Sequence, residues 1–144
     1  MRFLTIIICI ALFAGCKKDT SLSATSFVGT WELRKIYGEG PILNYEAGNG
    51  NILKFTANTY EIYKGDSLIK SGAYKIVEDT SVATNVCKGF EPGIYTHRII
   101  YDNDDTMKQY FQITGNTLSL VYGCFAIDSG IFNDYEKISA STDK

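Results

Sequence analysis

The stretch "FVGTWELRKIYG", residues 27–38, decides the fold class of this chain. Within it, Trp31 and Leu33 would share one face of a β-strand, while Glu32 and Arg34 would share the other. Alternating apolar and polar side chains are typical of a strand with one buried and one solvated face. The stretch therefore predicts a half-buried first strand.

The chain beyond this stretch repeats the pattern, with short aromatic and β-branched runs separated by Gly, Asn and Asp. Tight connections such as "TAN" at 56–58 and "TGN" at 114–116 force neighbouring runs to pair antiparallel. Closing such strands into a barrel removes both exposed sheet edges. We therefore predict an all-β protein, an eight-stranded antiparallel up-and-down β-barrel with strands near 29–37, 51–56, 59–64, 68–77, 94–102, 108–114, 117–122 and 132–138.

The amino-terminal residues have the composition of a secretory signal. Arg2 precedes the apolar run "FLTIIICIALF", which ends at the small pair Ala14 and Gly15. A membrane-spanning helix needs about 20 apolar residues, and Lys17 follows too early for that. Residues 1–15 are therefore predicted to be a cleaved signal peptide.

"LFAGC", Leu12 to Cys16, resembles the lipobox of bacterial lipoproteins. The resemblance implies that Cys16 becomes the first mature residue and carries lipid, including palmitate, as a membrane anchor. The alternative is an ordinary signal peptide with a cysteine at its boundary. Residues 16–26 are polar and would form a flexible tether with a reach of roughly 17 Å, followed by a domain over residues 27–144. Lys17, rather than an aspartate, after the cysteine favours the outer membrane, on either its periplasmic or its surface face.

The net charge argues against one class of partner, and the cysteines raise the question of a disulfide. The whole chain has a formal net charge of −2 and no basic run, which argues against nucleic acid as a partner. After lipidation of Cys16, Cys87 and Cys124 would remain in an oxidising compartment. They are expected either to form a disulfide or to stay as two separate thiols.

"GTW", Gly29 to Trp31, resembles the first-strand motif of lipocalins and of lipocalin-like domains in bacterial lipoproteins. The resemblance implies that Gly29 and Trp31 have the structural role of closing one end of the barrel. Members commonly stack a late-strand arginine on that Trp, but this chain has no arginine after Arg98, and Lys137 is the nearest basic candidate. The segment 38–50 would then lie over the open mouth.

Few residues suit catalysis or metal binding. His97 is the only histidine, and no nucleophile elbow, phosphate loop or zinc spacing accompanies it. The acidic run Asp102 to Asp105 lacks the Gly and Glu positions of an EF-hand. We therefore predict no enzyme activity, no catalytic residue, no metal and no cofactor, with an enzyme built around His97 as a weaker hypothesis.

The ten tyrosines suit either a barrel core or a ligand cup, because each combines an apolar ring with a polar tip. We predict a membrane-anchored lipoprotein that binds a small apolar ligand without catalysis. The alternative is a filled barrel that binds an envelope protein partner or inhibits a host enzyme. A pocket, if present, is predicted to include Tyr37, Tyr60, Tyr74, Tyr95, His97 and Tyr122.

Overall fold

The computed structural model of the protein describes residues 27–38, 40–81, 93–122 and 130–139. Within these ranges the chain forms one antiparallel sheet. No helix in the described part is long and apolar enough to cross a membrane. The strands are β1 Gly29–Tyr37, β2 Leu43–Asn44, β3 Ile52–Phe55, β4 Thr59–Lys64, β5 Ser67–Glu78, β6 His97–Tyr101, β7 Asp104–Thr114, β8 Thr117–Tyr122 and β9 Ile131–Ser139.

The sheet closes into a barrel because its first long strand pairs with its last. The order is β2-β1-β3-β4-β5-β6-β7-β8-β9, with an additional pairing of β1 with β9. The two-residue β2 pairs only with Lys35 and Ile36 at the far end of β1, and the other eight strands form the wall. The predicted eight-stranded antiparallel up-and-down β-barrel, consistent with a lipocalin-like fold, is confirmed.

The hairpin between β6 and β7 turns more tightly than the sequence suggested. Asp102 and Asn103 both have positive φ, so the "DNDDT" connection needs only two residues, and β7 begins at Asp104 rather than near residue 108. Asp and Asn tolerate this left-handed conformation because their short side chains bond locally. On the other side, β6 begins at His97 rather than at residue 94.

Buried apolar side chains fill most of the barrel interior. The end where β1 begins is plugged by Phe27, whose ring centre lies 4.4 Å from that of Phe55 and 4.9 Å from that of Phe111. We call this the closed end and the opposite end the mouth. The buried core contains Phe27, Trp31, Leu33, Leu53, Phe55, Tyr60, Ile99, Phe111, Leu118, Leu120 and Tyr135.

A second apolar cluster lies on the outer side of the wall. Tyr110 and Val121 alternate with core residues along β7 and β8, so they face outward, yet each is only 1% exposed. Tyr95 packs against them, with Ile94 beside it. Residues 94–96, predicted as strand, instead cover the outer wall. This explains why the stretch from 94 to 102 shows no polar face.

Candidate ligand site at the barrel mouth

A cavity of about 180 Å³ opens at the mouth, opposite Phe27. Its lining is mainly apolar and comes from β1, β3, β4, β5 and β9. The polar residues of the lining include Asn133 and Lys64. The main apolar side chains are Leu33, Ile36, Leu53, Ile62, Ile69 and Tyr135.

Two β-bulges shape this cavity. In β1, the pairing with β9 shifts between Leu33 and Lys35, so that Ile36 rather than Lys35 follows Leu33 into the interior. In β4, the pairing with β5 shifts between Ile62 and Tyr63, which leaves Ile69 as the extra residue of β5. A bulge reverses which face a side chain occupies. Both bulges add an isoleucine to the cavity lining.

Several polar side chains lie together on the inner wall beside the cavity. Asn133 lines the cavity next to Tyr135, and its side-chain amide lies near the hydroxyls of Tyr135 and Tyr122. Burial raises the pKa of both tyrosines, and the nearby amide of Asn133 partly opposes the rise. Both hydroxyls therefore remain protonated and neutral at physiological pH.

Two amide atoms in this region have no hydrogen-bond partner within the described part of the chain. They are Oδ1 of Asn133 and Nε2 of Gln109, and both are buried. Gln109 faces inward because it pairs with Ile99 on one side and Tyr122 on the other. Buried polar atoms are rarely left unpaired, so these two amides are an exception within the inner wall of the barrel.

The residues predicted to line one pocket do not form a single group, and none of the six lines the mouth cavity. Tyr60 and Tyr74 lie in the interior, where their hydroxyls donate to the Asp102 carboxylate and the Thr56 carbonyl, each over 2.7 Å. Tyr122 also packs on the core, beside the Asn133 amide.

The other three predicted pocket residues lie elsewhere. His97 is at the closed end, with its ring 6.1 Å from that of Phe111 and its Nδ1 2.8 Å from the Thr96 hydroxyl. Tyr37 and Tyr95 belong to the outer surface, and Tyr37 stacks on Phe132 at 4.9 Å. Burial raises the pKa of Tyr95 to about 12, and the nearby Tyr37 and Asp134 add to the rise.

The segment 38–50, predicted to lie over the mouth, is fastened to the barrel at two points. Tyr45 packs against the core, and its N–H donates to the Arg34 carbonyl over 2.8 Å. Farther along, the N–H groups of Gly48 and Gly50 donate to the buried carboxylate of Glu32. The segment thus forms one side of the mouth.

The carboxylate of Glu32 keeps its charge despite being only 4% exposed. Burial alone would raise its pKa, but hydrogen bonds from Arg34, Gly48 and Gly50 outweigh burial and lower the pKa. Arg34 also reaches Glu136 on β9 over 2.8 Å. Glu32 therefore links the segment beside the mouth to the outer wall of the barrel.

The rim of the mouth carries most of the exposed large apolar side chains in the described part of the chain. Ile138, near the closed end, is the exception. On the rim, these side chains come from the segment around β2, the β4–β5 hairpin and the start of β9. They are Ile42, Leu43, Leu68, Ile69 and Ile131, which are 47–60% exposed.

Several predicted sites lie outside the described residues. These are the lipidation site Cys16 and the two candidate disulfide residues Cys87 and Cys124. Within the described ranges, no group of His, Cys, Asp and Glu is arranged to hold a metal ion. The acidic run near residue 102 instead pairs internally, as when Asp102 contacts Lys70 over 3.3 Å.

Comparison with known proteins adds no relative. No protein-family model, no curated protein and no solved structure matches the chain.

Proposed function

We propose that this protein is an outer-membrane lipoprotein whose barrel binds a small apolar molecule at its mouth and releases it unchanged. The observation that carries the proposal is the apolar cavity of about 180 Å³ among Leu33, Leu53 and Ile62. An apolar cavity of about 150 Å³ is large enough to take up benzene. A ligand about the size of one ring therefore fits the space.

The mechanism would be burial of ligand surface in a preformed cup. A ring-sized ligand that buries roughly 150 Å² of apolar surface gains about 4 kcal/mol at 25 cal/mol per Å². That gain corresponds to a dissociation constant of about 1 mM before any polar contact is counted. We therefore expect weak, rapidly reversible binding.

The predicted anchor would join the barrel at its closed end. Cys16 would hold the lipid, and the tether of residues 16–26 runs directly into Phe27 at the closed end. The mouth, at the opposite end, would then be free to receive its ligand from the aqueous space. In this arrangement the lipid retains the protein and the barrel does the binding.

A matched pair of substitutions on β5 tests the ligand site. Ile69 lines the cavity, whereas its neighbour Leu68 does not, and both are more than half exposed. Ile69→Trp should fill the cavity and abolish binding of toluene, measured by saturation-transfer NMR, while Leu68→Trp should leave binding intact. Equal binding by both variants would contradict the proposal. The test protein is residues 16–144 with Cys16→Ser, which contains the whole closed barrel.

A second pair tests the anchor. In the full chain, Cys16→Ser should abolish incorporation of labelled palmitate and shift the protein from the membrane to the soluble fraction. Cys9→Ser lies inside the predicted signal peptide and should change neither result. If the Cys16→Ser variant still incorporates labelled palmitate, Cys16 is not the lipidation site.

The alternative function, binding of an envelope protein partner, is favoured by the apolar rim. Leu43, Leu68 and Ile131 are each about half exposed at the mouth. Exposed apolar groups of this kind commonly mark interaction sites. If the protein binds an envelope partner, a crosslinker placed on the rim should capture one partner protein in the native envelope. A Leu68→Asp variant should then lose the crosslink without losing toluene binding.

A further inference from the structure

The barrel wall has a step at the mouth, where β5 extends beyond its neighbour β6. β5 pairs with β4 along residues 67–73, but it pairs with β6 only from Tyr74 onward. β6 ends at Tyr101, and in the described part of the chain no strand pairs with residues 67–72 on the β6 side. We call residues 67–72 of β5 the open edge.

The main chain of the open edge directs hydrogen-bonding groups away from the barrel wall. Ala73, just beyond it, faces β6, because its carbonyl accepts from the Asp102 N–H over 2.8 Å and its N–H donates to the Asp102 carboxylate over 3.1 Å. Main-chain directions alternate along an antiparallel strand, so Ser71 points the same way. Leu68 does so too, because it follows the residue that pairs back across the two-residue β4–β5 turn. Such an edge is a template for pairing with another extended chain.

The open edge carries one exposed aliphatic side chain on each face of the sheet. Ile69 lines the mouth cavity on the inner face. Leu68 lies on the outer face, because it pairs with Tyr63, the neighbour of the inward-facing Ile62. Both aliphatic side chains are more than half exposed. Since neighbouring side chains of a strand point to opposite faces, two adjacent apolar residues of an added strand would cover both.

The end of the open edge that meets the β6–β7 turn is acidic. Asp102 in this turn is paired with Lys70 over 3.3 Å. Asp104, at the start of β7, accepts hydrogen bonds from Thr106, which lower its pKa, so it is charged at neutral pH. Within the described ranges Asp104 forms no ion pair. A basic group at the end of an incoming chain would meet this carboxylate.

We propose that the open edge binds an extended peptide of a partner protein by strand addition, antiparallel to β5 and in line with β6. The peptide carries a basic residue at its amino end, beside Asp104, and two adjacent apolar residues farther along, over Ile69 and Leu68. In this mode main-chain hydrogen bonds provide affinity, and side-chain contacts provide specificity. The inference goes beyond the small-ligand function and does not depend on it, because the peptide binds the strand edge rather than the cavity.

A second copy of this chain fits the open edge less well than such a peptide. Antiparallel pairing of two β5 strands would bring the turn that carries Asp66 in one copy toward Asp102 and Asp104 of the other. In a two-fold symmetric pair this approach of like charges occurs twice. Like charges placed opposite each other on paired strands are destabilising. A peptide with a basic amino end replaces this repulsion by attraction.

A short peptide and two variants at one position test the inference. The probe is the amidated peptide Lys-Thr-Thr-Thr-Val-Leu-Thr, titrated into residues 16–144 with Cys16→Ser and followed by NMR. We expect saturable shifts of the Ser71 and Leu68 amide signals, and about tenfold slower hydrogen exchange at Ser71 in the complex. Ser71→Pro should abolish binding, because it removes an outward N–H and leaves the β4–β5 hydrogen bonds in place. Ser71→Ala keeps that N–H and should retain binding.

Controls on the peptide keep the test independent of how well the proline variant folds. The N-methylated form of the probe has no N–H donors between its residues and should not bind, and Glu in place of its Lys should weaken binding about threefold. No shift at the Ser71 amide, or equal binding of the N-methylated form, overturns strand addition. Dimers of the protein alone that disappear in Ser71→Pro would identify a second copy as the occupant and also overturn the proposal. Toluene binding, measured without peptide, reports on the cavity function separately.

Discussion

The ammonium nitrogen of Lys137 lies 5.0 Å from the centre of the Trp31 ring at the closed end of the barrel. Trp31 is fully buried, and its Nε1 donates to the Phe27 carbonyl over 2.9 Å. The lipocalin resemblance implies a cation stacked on this Trp, and Lys137 provides it here. Gly29 leaves room for the lysine stem, because an added Cβ would lie 2.5 Å from Lys137 Cε.

Lys137→Met should destabilise the barrel by about 0.5–1 kcal/mol, because it removes the charge over the ring and keeps an apolar stem. Lys137→Ala should cost more, since the stem is lost as well. Lys137→Arg should be close to neutral. Urea unfolding followed by Trp31 fluorescence would measure all three. Equal stability of the Met variant and the original sequence would show that the stem alone matters.

Gly29→Ala should destabilise the barrel by about 1–2 kcal/mol more than Gly40→Ala. Both glycines have positive φ, at 143° and 107°, so an alanine is strained at either position. Only at Gly29 does the new methyl also meet other atoms, including the Ser139 carbonyl oxygen at 2.9 Å. Thermal unfolding of the two variants would separate strain from crowding, and matching melting temperatures would rule out crowding.

Asp79 should make the barrel sensitive to acid. Its carboxylate accepts from Arg98 Nε over 2.8 Å on the outer wall. Burial alone would raise its pKa, but hydrogen bonds from Ser81 and Arg98 and the charge of Lys108 lower it from 3.8 to about 2. Because the folded-state pKa is depressed, this contribution is complete above about pH 4 and is lost as pH falls toward 2.

Asp79→Asn should therefore remove about 2 kcal/mol of stability at pH 7 and flatten the stability profile between pH 4 and 2. Glu78→Gln changes the exposed neighbouring carboxylate and is the matched control. Urea midpoints at a series of pH values would compare the three proteins. If the stability of Asp79→Asn falls below pH 4 as steeply as that of the original sequence, Asp79 is not the source of the acid sensitivity.

Much of the fold follows from the sequence because alternation and turn length are local properties. The alternation of Trp31 and Leu33 with polar residues predicted β1. The tight connections predicted the antiparallel meander that closes into a barrel. Strand ends were less accurate where side-chain chemistry allowed a tighter turn, as at Asp102. The strand β2 was missed because two residues, Leu43–Asn44, are too few to show a period.

The candidate site was harder to predict because face assignment depends on register. An unbroken period of two would place Tyr37 on the same face as Trp31 and Leu33, and so inside the barrel. The bulge after Leu33 reverses that order, which puts Ile36 inside and Tyr37 outside. The segment around Tyr95 likewise lies outside the wall. No local sequence signal reveals the bulge, whereas the missing polar face of residues 94–102 was a sign that the outer wall is covered.

Glu32 should control the segment beside the mouth. Its carboxylate accepts the N–H groups of Gly48 and Gly50 over 3.1 and 3.3 Å. Glu32→Ala should leave both donors unpaired and speed hydrogen exchange at these two amides by tenfold or more. Glu46→Gln, on an exposed side chain of the same segment, should not. Exchange rates at Gly48 that match in both variants would show that other contacts fix the segment.

Cys87 and Cys124 lie outside the described residues, but the residues before each loop are close together. The hydroxyl of Ser81 contacts that of Tyr110 over 2.9 Å, and Tyr110 pairs with Val121, three residues before Cys124. Ser81, the last described residue before Cys87, therefore lies near β7 and β8 on the outer wall. The sequence leaves two outcomes for these cysteines, a disulfide or two separate thiols.

A disulfide between Cys87 and Cys124 would close a loop of about 38 residues and stabilise the fold by roughly 4 kcal/mol on the chain-entropy estimate. Cys87→Ser, Cys124→Ser and the double variant should then lose the same stability, because either change removes the whole bond. Alkylation without reductant should add no mass to the unmodified residues 16–144 with Cys16→Ser. Additive losses in the double variant, together with two alkylated thiols, would instead establish independent cysteines.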